Sequence, residues 1–372
     1  MSDDKELQIG SLYLDKYKIL KVLGRGGMNS VVYYAENVLH SQSDPLERFK
    51  YVALKVINRT LETTEEDWTK ILDERVTIGR LMNNPYIVNL ELSFPMSAEK
   101  NKIIFSMEYI DGPSLTKLIK DRGALSIVEA LSIFKKIVLG VNYMHNRERT
   151  IIHRDLKPEN ILLSKDLLDV KISDFGVASV IHNVDNEKRV LSLEQSVFGT
   201  IPYISPDVYD KNERKKISTQ LDFHALGIIF YEMLVGYKPL EIEDETDPSV
   251  IKYFTMYDIT PMKKINSKFV NEIENIFLRL TASKENDTKF RYNNCFEILD
   301  DISKVEAVIS NKEKEGKLLV PVCERHFQNI DLFKIQKYEN LFIEFKNKPL
   351  LWICTSLIFL FIILIIIFAS IH

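Results

Sequence analysis

Asp155, Lys157 and Asn160 stand within six positions of one another in Ile-Ile-His-Arg-Asp-Leu-Lys-Pro-Glu-Asn, residues 151–160. A carboxylate, an ammonium and an amide at that spacing can converge on one small volume, and any fold of this chain must make room for the convergence. Asp155 can accept a proton from a hydroxyl nucleophile, Asn160 can offer an oxygen to a divalent cation, and Lys157 can neutralise a transferring phosphoryl group. The bland alternative is a charged surface loop after a helix. It weakens with each further motif that recurs in order along the chain.

The segment resembles the catalytic loop of eukaryotic-type protein kinases, and Lys157 after Asp155-Leu156 looks like the serine/threonine branch. Beginning 15 residues beyond Asp155, Val170-Lys171-Ile172-Ser173-Asp174-Phe175-Gly176 reads as a strand ending in a carboxylate. Asp174 matches the family's aspartate that binds magnesium bridging the phosphates. Upstream, a strand from Leu14 to Leu23 runs into Gly24-Arg25-Gly26-Gly27-Met28-Asn29-Ser30-Val31, with a second strand from Val31 to Ala35. In that hairpin Gly24 and Gly26 let backbone N–H groups approach phosphates, and Val31 can cover one face of an adenine ring. The pattern is similar to the kinase glycine loop, especially in bacterial members, with Asn29 in place of the third glycine. Asparagine tolerates positive φ, so the turn is kept.

A polar insertion, His40 to Lys50, precedes Tyr51-Val52-Ala53-Leu54-Lys55-Val56-Ile57. A lysine in the middle of an apolar strand is costly unless its charge is paired. The family pairs it with a glutamate on the next helix, and the helical pattern from Glu65 to Met82 offers Glu74. Tyr86 to Phe94 and Lys102 to Tyr109 read as further strands, the second leading into Ile110-Asp111-Gly112. By resemblance this is the hinge between lobes: the Glu108 carbonyl and the Ile110 N–H would bond the adenine edge, with Met107 as gatekeeper. Leu23, Ala53 and Leu162 complete the implied nucleotide pocket.

Ile127 to His145 is helical, and Val177 to Phe198 is polar without a clear period. Gly199-Thr200-Ile201-Pro202-Tyr203 resembles the substrate-docking turn, with Thr200 against Asp155 and Lys157. Ser205-Pro206-Asp207 replaces the usual A-P-E, which leaves a shorter carboxylate for Arg291. Asp222 would hold the catalytic-loop backbone from the long central helix, with His224 packed in the core. An arginine before the catalytic aspartate, here Arg154, lies near the activation segment in the family. Ser196, and after it Ser192, are therefore the expected activating phosphorylation sites.

A net charge of -4 argues against a nucleic-acid binder held by a basic field. Cys295, Cys323 and Cys354 are widely spaced and suit a reducing compartment. The polar N-terminus shows no signal peptide. Leu350 to Ile371 is 22 residues without a charge, long enough as a helix to cross a bilayer. Lys334, Lys337, Lys346 and Lys348 precede it, which places the N-terminal part in the cytosol. The expectation is a tail-anchored protein with the lipid bilayer as a partner. Leu332, Ile335, Tyr338, Phe342 and Phe345 suggest an amphipathic helix leading there.

The resemblance implies an α+β, two-lobed protein kinase fold, with a five-stranded small lobe, a mainly helical large lobe and a C-terminal transmembrane helix. The expected divisions are an extension over 1–16, a kinase domain over 17–308, a connector over 309–349 and the membrane helix over 350–371. The implied activity is ATP-dependent phosphorylation of serine or threonine on proteins. Asp155, Lys157 and Asn160 are the implied catalytic residues, and Asn160 and Asp174 the ligands of magnesium, or of manganese in its place. A membrane-tethered pseudokinase scaffold is disfavoured because Lys55, Glu74, Asp155, Asn160 and Asp174 are all retained. A small-molecule phosphotransferase is disfavoured by Lys157 and the Gly199-Thr200 turn.

Overall fold

The computed structural model describes residues 6–26, 30–41, 49–59, 83–91, 102–148, 150–174, 179–180, 203–205, 218–239, 270–282 and 290–310. All of them fall in one compact unit, Met1–Cys323. Alternating apolar residues build an antiparallel sheet in the order β1 (Leu12–Tyr13), β2 (Tyr17–Gly26), β3 (Ser30–Asn37), β4 (Tyr51–Asn58) and β5 (Lys102–Glu108). One face is dry, where Tyr17, Ile19, Val31, Tyr33, Val52, Leu54 and Val56 pack together. A slip of one residue would turn this whole set outwards, so burial fixes the register. Val31 therefore lies opposite Val56, Val32 opposite Lys55, and Tyr34 opposite Ala53.

Two expected strands change. β2 starts at Tyr17 because Leu14 and Asp15, both at φ 53°, form the turn back from β1. It runs on through Gly24 and Gly26, which pair with Val32 and Ser30. Over Tyr86 to Glu91, the described part of the next expected strand, there is no ladder. Ile87 and Leu90 make single bridges to Ile172 and Met107, because the segment divides its hydrogen bonds between two partners. The fifth strand of the sheet is instead the short β1. The helix expected over Glu65 to Met82 lies outside the described residues.

The large lobe follows with α1 (Leu115–Arg122), α2 (Ile127–His145), β6 (Ile151–Ile152), a 3-10 turn (Pro158–Asn160), β7 (Ile161–Leu163), β8 (Val170–Ile172), β9 (Ser179–Val180), α3 (Gln220–Val235), α4 (Val270–Thr281) and α5 (Cys295–Ile309). Serines start the first two helices: the Ser114 and Ser126 side chains accept from the N–H groups of Lys117 and Glu129. α3 is buried at every residue from Asp222 to Leu234, His224 included. It has no solvent face. Phe230 stacks on Phe134 of α2 at 4.5 Å, and Tyr231 lies 5.5 Å from Phe277 of α4. At Gly227 a Cβ would stand 2.6 Å from Thr281 Cγ2, so a bare backbone lets α3 and α4 close. Asp301 of α5 accepts from Arg279 Nη1 at 2.6 Å and from the Tyr292 hydroxyl at 2.7 Å, which fastens α4 to α5.

A β-rich small lobe and a helical large lobe are thus present as the sequence implied. The connector beyond Ser310 and the apolar run Leu350 to Ile371 lie outside the described residues, and Ile309, expected in the connector, ends α5. Among the described residues no helix is long and apolar enough to cross a membrane.

Candidate active site

The loop after β6 is held from behind by a buried carboxylate. Asp222, on the first turn of α3, accepts from the His153 N–H on Oδ2 and the Arg154 N–H on Oδ1, each at 2.9 Å. His145 Nε2 donates to the same Oδ2 at 2.8 Å. Burial alone would lift the Asp222 carboxyl, but its bond and charge interaction with His145, helped by His153 and the Arg154 N–H, hold it below the ordinary carboxylate range. Arg154 sits at φ 69°, a left-handed conformation costing a non-glycine residue about 1–2 kcal/mol. The bond to Asp222 retains it, and the chain swings so that Asp155 turns towards the cleft.

There the convergence read from the sequence is present. Lys157 Nζ lies 2.8 Å from Asp155 Oδ2. Asn160 Nδ2 donates to the Asp155 carbonyl at 2.8 Å and to its Oδ2 at 3.3 Å. The 3-10 turn that carries Asn160 is tied to the strand leading to Asp174, since the Ser173 N–H donates to the Asn160 carbonyl at 2.9 Å. His153 Nε2 donates to the Ser173 carbonyl at 3.0 Å. Asp174, at φ 60°, accepts from Lys55 Nζ at 2.8 Å across the cleft. Burial would raise the Asp174 carboxyl, but the Lys55 charge and hydrogen bond, with His153 and Lys157 behind them, outweigh it and keep its pKa low. Glu74, the expected partner of Lys55, lies outside the described residues. So do Thr200, Asp207, Ser192 and Ser196; Arg291 donates through Nε to the Ala282 carbonyl at 2.6 Å.

Lys55 shows which face of the sheet looks into the cleft. Cross-strand partners point the same way, so Val32 and Phe105 share that face with Lys55, and Tyr34 and Met107 share it with Ala53. Val31, expected over the adenine, does not. It is 7% exposed, inside the small-lobe core, and Val32 takes its place over the cleft. Leu23 is 39% exposed on β2, beside Gly24, whose missing side chain leaves open space. Met107 and Glu108 end β5, Ile110 follows, and Leu162 on β7 bridges to Ser114 just past the hinge. Tyr109 packs on Tyr34 at 4.3 Å and so closes the outer end of the roof.

The donor set suits magnesium. With its Nδ2 bonded to Asp155, Asn160 keeps Oδ1 as a free-facing acceptor, and the Asp174 side chain is 48% exposed to the cleft. Two hard oxygens match an ion that takes one or two protein ligands and fills its shell with phosphate oxygens and water.

The profile of the protein kinase domain matches residues 17–305. The chain belongs to the protein kinase family. This kinase is 35% identical over 366 residues to a protein of Mycoplasma genitalium provisionally named a serine/threonine-protein kinase, covering 93% of this chain and 91% of that one. A similarly named protein of Mycoplasma pneumoniae is 34% identical over 339 residues, 86% of this kinase and 85% of the relative. Serine/threonine-protein kinase PrkC of Bacillus subtilis is 29% identical over 295 residues, 79% of this kinase but 41% of PrkC.

Sequence reasoning missed Val32 and two residues behind the hinge, Asn89 and Lys171. Lys171 carried a signal: it is a second lysine inside an apolar strand, and the argument applied to Lys55 applies to it equally.

Proposed function

We propose that this kinase transfers the γ-phosphoryl group of ATP to serine and threonine hydroxyls of proteins, from a membrane-anchored position with its kinase domain in the cytosol. One arrangement carries the reading: Asp155, Lys157, Asn160, Asp174 and Lys55 face a single cleft. Asp155 is placed to orient a hydroxyl and accept its proton, and Lys157, 2.8 Å away, supplies positive charge beside the developing bond. Asn160 and Asp174 would hold magnesium, which when bound offsets phosphate charge. Lys55 is positioned to hold the phosphates, with Gly24, Gly26, Val32, Ala53 and Leu162 around the nucleotide. The names of the relatives and Lys157 itself support serine and threonine as acceptors. The run Leu350 to Ile371 and the lysines before it support the anchor. Phosphate at Ser196, then Ser192, would raise activity by pairing with Arg154. The test is to incubate the protein with ATP, magnesium and candidate peptides and to map phosphosites by mass spectrometry, beside Asp155→Asn and Lys55→Met. Serine or threonine phosphate that both substitutions abolish is the expected result; phosphorylation at wild-type rates by either variant would overturn the mechanism.

A further inference from the structure

The side chain of Lys171, in the middle of β8, is 12% exposed, and its Nζ donates to Glu108 Oε1 at 2.7 Å. The same oxygen accepts from the Asn89 N–H at 2.7 Å and from Asn89 Nδ2 at 2.9 Å. The Asn89 carbonyl in turn accepts the Glu108 N–H at 3.0 Å. One carboxylate thus gathers the end of β5, the 83–91 segment and β8. Beyond Glu108 the chain lies against β7: the Leu163 N–H donates to the Pro113 carbonyl at 3.0 Å, and the Lys165 N–H to Asp111 Oδ1 at 3.2 Å. A Cβ at Gly112 would collide with the Leu163 carbonyl and stand 2.7 Å from that of Ser164. β7 carries Leu162, and β8 leads directly to Asp174. The hinge, the floor of the pocket and the metal-facing carboxylate therefore hang on one two-stranded ribbon.

We infer that Lys171 is a positioning residue for the nucleotide: by holding the Glu108 carboxylate it fixes the hinge backbone at Glu108 and Ile110 over Leu162, and so sets where a base sits relative to Asp174. This rests on the nucleotide reading of the cleft but not on phosphoryl transfer. The reach of the effect follows from the chemistry of the contact. Without the ammonium, a largely buried carboxylate keeps only its two Asn89 bonds, and the hinge gains freedom that a bound base must remove. A single charge-assisted hydrogen bond of this kind is worth about tenfold in an equilibrium.

Adenosine is the probe, because it has a base but no phosphate and needs no metal. Its binding to the full-length chain in detergent is measured by calorimetry, with kcat and KM for ATP beside it. Lys171→Met weakens adenosine about tenfold and raises the ATP KM by a similar factor, with kcat within about twofold, and Lys171→Arg restores most of the loss. Glu108→Gln, which keeps size and removes charge, shows the same loss, and the double variant is no worse than either alone. Adenosine binding by both single variants at wild-type affinity would overturn the proposal. So would a higher kcat with unchanged affinity, which would make the contact a restraint on turnover. If the wild type binds adenosine but phosphorylates no peptide, the transfer reading fails while the Lys171 comparison still decides this one. If it binds no adenosine, both fail.

Discussion

Asp222→Asn tests whether a buried carboxylate holds the catalytic loop. The native side chain is buried and takes three donors, the His145 ring and the backbone N–H groups of His153 and Arg154. Asparagine offers one oxygen. In its better orientation that oxygen faces His145 and His153, and the Arg154 N–H then meets an NH2 group. An unsatisfied buried donor costs about 1–3 kcal/mol. The left-handed Arg154, no longer retained, can relax and return part of its strain of about 1–2 kcal/mol, which offsets some of that cost. The net loss is about 1–2 kcal/mol, or a fall in Tm of roughly 2–8 °C for a domain of this size. Because Asp155 follows Arg154, kcat falls about tenfold, while KM for ATP, set by groups across the cleft, changes little. Urea denaturation at several pH values and peptide kinetics read both effects. Asp222 has a depressed folded-state pKa, so its contribution is present above the unfolded carboxylate value of ~4 and is lost as pH falls through the folded value. The gap between wild type and Asp222→Asn is therefore full at pH 7 and shrinks in acid. A variant within about 0.5 kcal/mol of wild type at pH 7, with wild-type kcat, would refute the carboxylate's role as the pin.

Other outcomes follow from particular contacts. Val31→Ala lowers stability by about 2 kcal/mol in urea titrations and leaves the ATP KM unchanged, whereas Val32→Ala raises that KM about fivefold at little cost in stability. Gly112→Ala, which must push the hinge off β7, weakens ATP binding in calorimetry about tenfold or more, given the collision with the Leu163 carbonyl. Cys295 is buried and burial pushes its thiol well up, so mass spectrometry after iodoacetamide finds it unmodified in the native protein and labelled only in denaturant. Deleting residues 350–372 moves the protein from the membrane fraction to the soluble one, with peptide kinase activity within about twofold of the full chain.

The catalytic loop could be read because its chemistry is local: Asp155, Lys157 and Asn160 are neighbours in sequence before they are neighbours in space. Asp222 could be read only through the resemblance of its helix to the family's central one, since the same helix carries a second buried carboxylate, Glu232, whose partner is the Tyr203 hydroxyl. The roof of the cleft could not be read by counting from the glycines. Val31 and Val32 are chemically the same, and only the pairing of β3 with β4 decides which of them faces Lys55. The stretch from Tyr86 onward has the apolar alternation of a strand in Ile87, Val88 and Leu90. Nothing in the sequence says that Val88 bonds to Ile172 and Glu91 to Ser106, which is why no ladder forms. Glu108 was legible for its backbone alone; the use of its side chain depends on Lys171, far along the chain.

α3 has a consequence for how the kinase is made. A helix with no wet side cannot wait in solvent: α2, on which Phe230 stacks, precedes it, but α4, which takes Tyr231 and closes on Gly227, comes later in the chain. At roughly 5–20 residues per second, a ribosome takes several seconds to go from Val235 to Thr281. For that interval the face of α3 around Gly227 and Tyr231 lacks Thr281 and Phe277, and uncovered apolar surface of that kind favours aggregation. A fragment that stops before Thr281 would leave that exposure permanent, so the shortest piece of the large lobe able to fold must include the whole of α4.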